Sequence, residues 1–173
     1  MGTDLLRSLI RDVPDFPKPG IMFKDNTPLL RDPKGLDASV MLLADPFLDQ
    51  GVTRVAGIES RGFIFGSCVA RILGAGFVPI RKPGKLPWTK RSHEYELEYG
   101  KDKIEIHDDA LSKDDRVLVI DDVLATGGTL AAAVALVREF EANLVGAATV
   151  IELGFLEGRR KIKGVTFHSV LNY

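Results

Sequence analysis

A single cysteine in 173 residues, Cys68 in an apolar helical setting, leaves no partner for an internal disulfide and points to a reducing, cytoplasmic compartment. Histidine is scarce too: His93, His107 and His168 lack the spacing of a metal site and are assigned to the surface or to packing. No apolar stretch approaches the roughly 20 residues that a membrane span needs. The opening MGTDLLRSLIRD has charges on both sides of a short apolar patch, unlike a signal peptide, and Leu6 stands where N-myristoylation wants Ser or Thr. An excess of either charge is missing, since 23 Lys and Arg face 24 Asp and Glu, so no global field argues for nucleic acid or an anionic membrane. Neither Gly84-Lys85 nor Gly100-Lys101 is followed by the Ser or Thr of a P-loop, and Gly74-Ala75-Gly76 stops short of G-x-G-x-x-G because position 79 is Pro79. Repeats, low-complexity tracts and linkers are absent as well. With 45% hydrophobic and 27% charged residues, one globular domain over residues 1–173 is expected.

What is present centres on VLVIDDVLATGGTL, residues 117–130. Val117-Leu118-Val119-Ile120 is an unbroken apolar run, the pattern of a strand buried on both faces of a parallel sheet. Asp121 and Asp122 follow, where that strand is expected to end. Ala125-Thr126-Gly127-Gly128-Thr129 forms a small-residue loop before a helix expected over 130–140. Free backbone N–H groups at a helix start bind phosphate, and the glycines permit a tight turn and close approach. The two carboxylates would repel that phosphate but suit something attached to it, vicinal hydroxyls or Mg²⁺. A sugar 5-phosphate satisfies both halves. Read alone, the acid pair is also compatible with a solvated strand end, a helix cap, or the Mg²⁺ strand of a P-loop enzyme.

Around this stretch, residues 3–11 are expected to form a short amphipathic helix and 32–49 a longer one started by Asp32 or Pro33. Between them, residues 13–28 carry enough proline to predict a stiff loop without regular structure; Phe16 and Phe23 sit in it. Residues 52–58 and 76–80 are candidate buried strands joined by a helix over 64–73. Glu59-Ser60-Arg61-Gly62 falls in the turn at the carboxyl edge, where open α/β sheets bind ligands. The basic, Gly- and Pro-interrupted run over 81–91 reads as a solvated loop or a lid over a polyanion. Residues 94–99 alternate, with Tyr95, Leu97 and Tyr99 facing one way and Glu94, Glu96 and Glu98 the other, and 103–107 return as a second strand. That hairpin is expected to be exposed and flexible. Residues 143–153 and 166–171 supply two further strands, separated by a polar turn or helix over 157–163. The pattern predicts an α/β fold with a mostly parallel sheet.

The 117–130 stretch closely resembles the 5-phosphoribosyl 1-pyrophosphate (PRPP) motif of type I phosphoribosyltransferases, with its hydrophobic strand, two acids and Thr-Gly-Gly-Thr loop. FPKPGIMFKDNTPLL, from Phe16, is similar to the N-terminal segment of adenine phosphoribosyltransferases, with Asn26 as a small departure. The Leu-Glu-Tyr-Gly-Lys run over 97–101 is similar to their hood. The resemblance extends from Phe16 to the C-terminus and implies a type I phosphoribosyltransferase-like fold, a central sheet flanked by helices with a flexible β-hairpin hood. It implies a base-binding segment over about 13–30 and a hood and lid over about 81–107.

The resemblance also implies an activity, adenine plus PRPP giving AMP plus pyrophosphate in purine salvage. Phe23 would stack on adenine, the backbone of Met22 and Lys24 would read its edge, and Leu153 would pack on it. Asp121 and Asp122 would take the ribose hydroxyls, and Ala125, Thr126, Gly127, Gly128 and Thr129 the 5-phosphate. Glu59, Ser60, Arg61, Arg81, Lys82 and Lys85 would hold the pyrophosphate, with a non-proline cis peptide common in that loop. Glu98 would be the catalytic, proton-handling group at the purine, with Tyr99 beside it in the hood. Mg²⁺ would arrive mainly on PRPP rather than on direct protein ligands, and a homodimer is implied. A transferase for another base, or a non-catalytic PRPP-binding regulator, is the alternative.

Overall fold

The computed structural model describes residues 2–96 and 100–173. Helix α1 (Gly2–Ser8) leads into a strand pair, β1 (Arg11–Pro14) with β2 (Met22–Asp25), and then short helix α2 (Thr27–Arg31) and α3 (Pro33–Ala44). Strand β3 (Arg54–Ile58), helix α4 (Arg61–Leu73) and strand β4 (Gly76–Ile80) form a β-α-β unit. A hairpin follows, β5 (Lys90–Glu96) and β6 (Lys101–His107), and then β7 (Arg116–Leu124), α5 (Gly128–Arg138), β8 (Asn143–Glu152) and β9 (Phe167–Asn172). The central sheet has the order β4-β3-β7-β8-β9, every pairing parallel. Chain order runs outward in opposite directions from β3 and β7, so the switch point lies between them, at their carboxyl ends.

The apolar run on β7 shows why the sheet needs cover on both sides. Val117 and Val119 face one cluster, formed with α5 and the hairpin; Leu118 and Ile120 face the other, formed with α1, α3 and α4. That is the two-residue period of a strand buried on both faces. Pro79 is tolerated in β4 because β4 is an edge strand with one unpaired side.

Several sequence expectations need correction. The first helix stops at Ser8, because residues 11–14 pair instead with 22–25 in antiparallel register, Arg11 opposite Asp25 and Pro14 opposite Met22. The proline-rich segment therefore holds regular structure after all. Pro14 closes a strand, and Pro17 (with a cis Phe16-Pro17 bond) and Pro19 occupy the turn, where a missing N–H costs nothing. The helix expected over 32–49 ends at Ala44, and Pro46 converts its continuation to a 3₁₀ turn, Asp45–Phe47. Its start is as read: Asp32 caps it, accepting from the Gly35 N–H at 2.7 Å, with Pro33 in the first turn. Helix α4 begins three residues earlier than expected, at Arg61, and β7 runs through both aspartates to Leu124, because β8 stays paired with it as far as Leu124 opposite Glu152. The described part of the hairpin is not simply exposed. Tyr95, Ile104 and Ile106 are buried in the cluster under α5, and Arg81 pairs with Glu105 by two backbone hydrogen bonds.

After β8 the chain makes two 3₁₀ turns, Gly154–Leu156 and Gly158–Lys161. They are held by Glu152, whose buried carboxylate accepts from Arg159 Nε at 2.9 Å, Arg159 Nη2 at 2.6 Å and Ser169 Oγ at 2.7 Å. Arg159 is the main cause holding the Glu152 carboxyl below its ordinary value of 4.5. Arg159→Met should therefore destabilise the fold by about 1–3 kcal/mol, the cost of leaving a buried acceptor short of donors. A carboxyl with a depressed folded value contributes stability above its unfolded value and loses it as pH falls through the folded one. The gap between parent and variant in urea unfolding should thus be full at pH 7 and shrink below about pH 4.5. A gap unchanged at pH 3 would refute the assignment.

Candidate active site

Both strand ends at the switch point open into a loop and then a helix. At the end of β7, residues 125–127 turn sharply into α5, with Gly127 at φ +80°. A Cβ on Gly127 would lie 2.3 Å from the Gly158 carbonyl oxygen, so the loop is seated directly on the backbone of the segment after β8. The cleft above it has a volume of about 80 Å³ and is lined by Asp121, Ala125, Thr126, Gly127, Gly128 and Thr129. The free N–H groups at the start of α5 and the positive end of its dipole suit an anion of phosphate size.

The two aspartates alternate along the strand and serve different clefts. Asp121 lines the phosphate-sized cleft, and Asp122 lines a larger neighbouring one that shares Val123 and Ala125 with it. Asp122 Oδ2 accepts from Asn26 Nδ2 at 2.9 Å and from Arg61 Nε. Asp121 Oδ1 accepts from the Asp122 N–H at 2.8 Å. Burial, followed by the neighbouring Asp122 charge, pushes the Asp121 carboxyl well above the ordinary aspartate range.

The larger cleft, about 320 Å³, is lined by Met22, Phe23, Lys24 and Leu153, every residue for which the resemblance implies contact with the base. Ile21, Val123 and Leu156 complete its apolar wall, and Arg61 and Asp122 its polar rim. Phe16 packs edge-on against Phe23 at 5.1 Å between centroids, and the Arg61 guanidinium stands 5.8 Å from the Phe23 ring centre. The Lys24 side chain is engaged elsewhere, 2.6 Å from Asp12 and over the Tyr173 ring, which suits a role for its backbone rather than its ammonium. Asn26, a small departure from the resemblance, is buried and orients Asp122. No periodicity could have revealed that, because its partner lies 96 residues away.

At the end of β3, the Glu59-Ser60 peptide bond is cis. Glu59 gathers the lid: its carboxylate accepts from Lys85 Nζ, from the Lys82 N–H at 2.9 Å and from Arg81 Nε at 3.2 Å. Burial works to raise its pKa, but these donors, Lys85 foremost, hold it below the ordinary glutamate range. Lys82 reaches Asp102 and the Tyr95 hydroxyl on the hairpin. Four cations assigned to a diphosphate thus lie along one edge, each already facing an acid. Glu98 and Tyr99 lie outside the described residues. Among the described residues, no group of three or more His, Cys, Asp or Glu side chains is placed to hold a metal ion, and no helix is long and apolar enough to cross a membrane.

Residues 25–166 match the family model for the phosphoribosyl transferase domain. An adenine phosphoribosyltransferase of Methylococcus capsulatus is 54% identical over 170 residues, covering 98% of this chain and 99% of the relative. The chain belongs to the adenine phosphoribosyltransferase family. Among solved structures, the adenine phosphoribosyltransferase of Rhodothermus marinus superposes with a TM-score of 0.95 at 50% identity, over 99% of this chain and 98% of that one. The Saccharomyces cerevisiae enzyme, complexed with an imino-altritol 1,6-bisphosphate and adenine, gives a TM-score of 0.92 at 39% identity, over 98% of each chain. The mostly parallel sheet flanked by helices, expected from the sequence, is the fold of this family.

Proposed function

We propose that the chain transfers the phosphoribosyl group of PRPP to N9 of adenine, releasing pyrophosphate and forming AMP, as a purine-salvage enzyme. The observation that carries this reading is the adjacency of a flat-ligand cleft at Phe23 and a phosphate-sized cleft at residues 125–129, separated by the acid pair on one strand end. A base, a ribose and a 5-phosphate fit that sequence of sites in order.

In this mechanism the loop N–H groups and the Thr126 and Thr129 hydroxyls hold the 5-phosphate. Its binding energy orients C1 toward the base. Asp121 and Asp122 accept from the ribose hydroxyls. Phe23 stacks on adenine against Leu153, and the backbone at Met22 and Lys24 reads the purine edge. As the C1–oxygen bond breaks and the C1–N9 bond forms, Arg61, Arg81, Lys82 and Lys85, with the main chain at Glu59-Ser60, meet the charge growing on pyrophosphate. Glu98 takes the purine's ring proton, and the hood around Tyr99 excludes water. When bound, Mg²⁺ arriving on PRPP would supply charge neutralisation at the diphosphate. The hard carboxylate oxygens of Asp121 and Asp122 suit contact with it through water or ribose hydroxyls.

A homodimer in the cytoplasm completes the reading. The lone Cys68 supports a reducing compartment. An apolar groove of about 380 Å³ between α3 and α4, lined by Leu36, Val40, Cys68 and Ile72, supports a paired state, which light scattering would test.

The deciding experiment incubates the protein with PRPP, Mg²⁺ and, separately, adenine, hypoxanthine, guanine and orotate. AMP from adenine alone supports the reading; nucleotide from another base overturns the assignment of the Phe23 cleft. PRPP binding with no product from any base would make the chain a regulator. Phe23→Ala should raise KM for adenine about tenfold to a hundredfold, the worth of one stacked base, and leave KM for PRPP nearly unchanged. Equal rises in both constants would place the base elsewhere.

A further inference from the structure

The Tyr95 hydroxyl is the meeting point of three segments that the mechanism treats separately. Its ring is 9% exposed, packed in the cluster beneath α5, and fixed in place by that packing. Its oxygen lies 3.0 Å from Lys82 Nζ on the lid, 2.9 Å from Asp102 Oδ2 on β6, and 3.2 Å from Thr129 Oγ1 on the phosphate loop. Lys82 also contacts Asp102 directly.

The chemistry of these groups fixes the direction of each bond. An ammonium can only donate, and an ionised carboxylate can only accept. Burial works to raise the Asp102 carboxyl, but Lys82, the Lys103 N–H and Tyr95 hold it below the ordinary range, so it is ionised at neutral pH. The single phenol proton therefore goes to Asp102. The phenol's two lone pairs remain for Lys82 and Thr129, and Thr129 must be the donor in its bond. All three hydrogen-bonding capacities of the hydroxyl are then used.

From this we infer that Tyr95 is a positioning residue for PRPP, setting the Lys82 ammonium and the Thr129 hydroxyl in register so that one molecule can span the lid and the phosphate loop. The inference rests on the placement of the 5-phosphate and diphosphate proposed above. It adds a residue that contacts neither group and acts through two that do. Tyr95 holds the Thr129 proton in this structure; a 5-phosphate would take it over, so in the complex Tyr95 acts through Lys82. Lys82 keeps its bonds to the phenol and to Asp102 while its third proton turns toward the diphosphate.

Tyr95→Phe removes one oxygen and keeps the packed ring. KM for PRPP should rise roughly tenfold, the cost of losing a charge-assisted hydrogen bond. KM for adenine should change less than twofold, and the melting temperature should fall by no more than a few degrees. Lys82→Met and the double variant complete the comparison. If Tyr95 acts through Lys82, the double variant has a KM for PRPP no higher than about that of the worse single variant. A Tyr95→Phe protein with parental KM for PRPP overturns the inference. So does one in which both Michaelis constants and the melting temperature shift together, which marks a structural role. Lys82→Met and Thr129→Val test the underlying placement independently. If both leave KM for PRPP unchanged, the assignment of PRPP fails; if they raise it and Tyr95→Phe does not, only the role of Tyr95 fails.

Discussion

Asp122→Asn should lower kcat/KM for PRPP by about a hundredfold to a thousandfold, the scale seen when one preorganised electrostatic group is removed from a site. The carboxylate is 6% exposed and accepts from Arg61 and Asn26 on one oxygen, which leaves the other for a ligand. An amide supplies one acceptor, not two, and its NH₂ group must face either a donor or the cleft. Arg61, no longer paired, would lose its fixed place over Phe23 as well. Asp121→Asn should separate activity from stability. The Asp121 carboxyl is raised in the fold, by burial first and by Asp122 second. A raised carboxyl contributes stability that is present below its unfolded value, 3.8, and lost as pH rises through the folded one. The asparagine variant escapes that loss. Its melting temperature should exceed the parent's at pH 8 by more than at pH 4, even as its use of PRPP falls. Retention of more than a tenth of the parental kcat/KM by Asp122→Asn, or the reverse pH trend for Asp121→Asn, would show that the two acids are not divided in this way.

The second large effect belongs to Gly127→Ala. A non-glycine residue at φ +80° costs about 1–2 kcal/mol in backbone conformation alone. The added methyl would in addition stand 2.3 Å from a carbonyl oxygen of Gly158, a contact with backbone that no rotamer change relieves. The loop must move, and its N–H groups move with it. We expect kcat/KM for PRPP to fall about a hundredfold, with KM for adenine in the presence of saturating PRPP much less affected. Gly84→Ala provides the control, because Gly84 has φ +78° but nothing within 4 Å of its Cβ position. Both substitutions place a side chain at nearly the same positive φ, so the difference between their stabilities in urea chiefly reports the contact with Gly158. Equal losses would mean that the packing of the two backbones contributes nothing.

The sequence was most legible where composition itself carries the structure. A short apolar run rich in β-branched residues and bounded by charge favours a doubly covered strand, and Val117-Leu118-Val119-Ile120 is one. Met22, Phe23 and Lys24 line one cleft with Leu153, more than a hundred positions away, a grouping that the family resemblance and not the composition supplied. Three kinds of information were not legible. Pairing partners decide whether a proline-rich segment is a loop, and residues 11–14 become a strand only because 22–25 lie alongside. Charge suggests that a strand has ended, yet at a sheet's carboxyl edge Asp121 and Asp122 stay in the ladder because β8 continues beside them. Ionic partners are the third: that Glu59 would collect Arg81 and Lys85, or that Asn26 would find Asp122, depends on distances no spacing rule encodes.

The short turns after β8 touch both halves of the site. Leu156 forms part of the base cleft, and two residues later Gly158 supports the loop beneath the phosphate-sized one, with the Glu152–Arg159 pair fixing the segment between strands. A ligand that displaced Leu156 would act on Gly158 across a single intervening residue. Thermodynamic linkage makes such coupling symmetrical. By whatever factor bound PRPP changes the affinity for adenine, bound adenine must change the affinity for PRPP, and shortening or loosening this one segment would diminish both factors together.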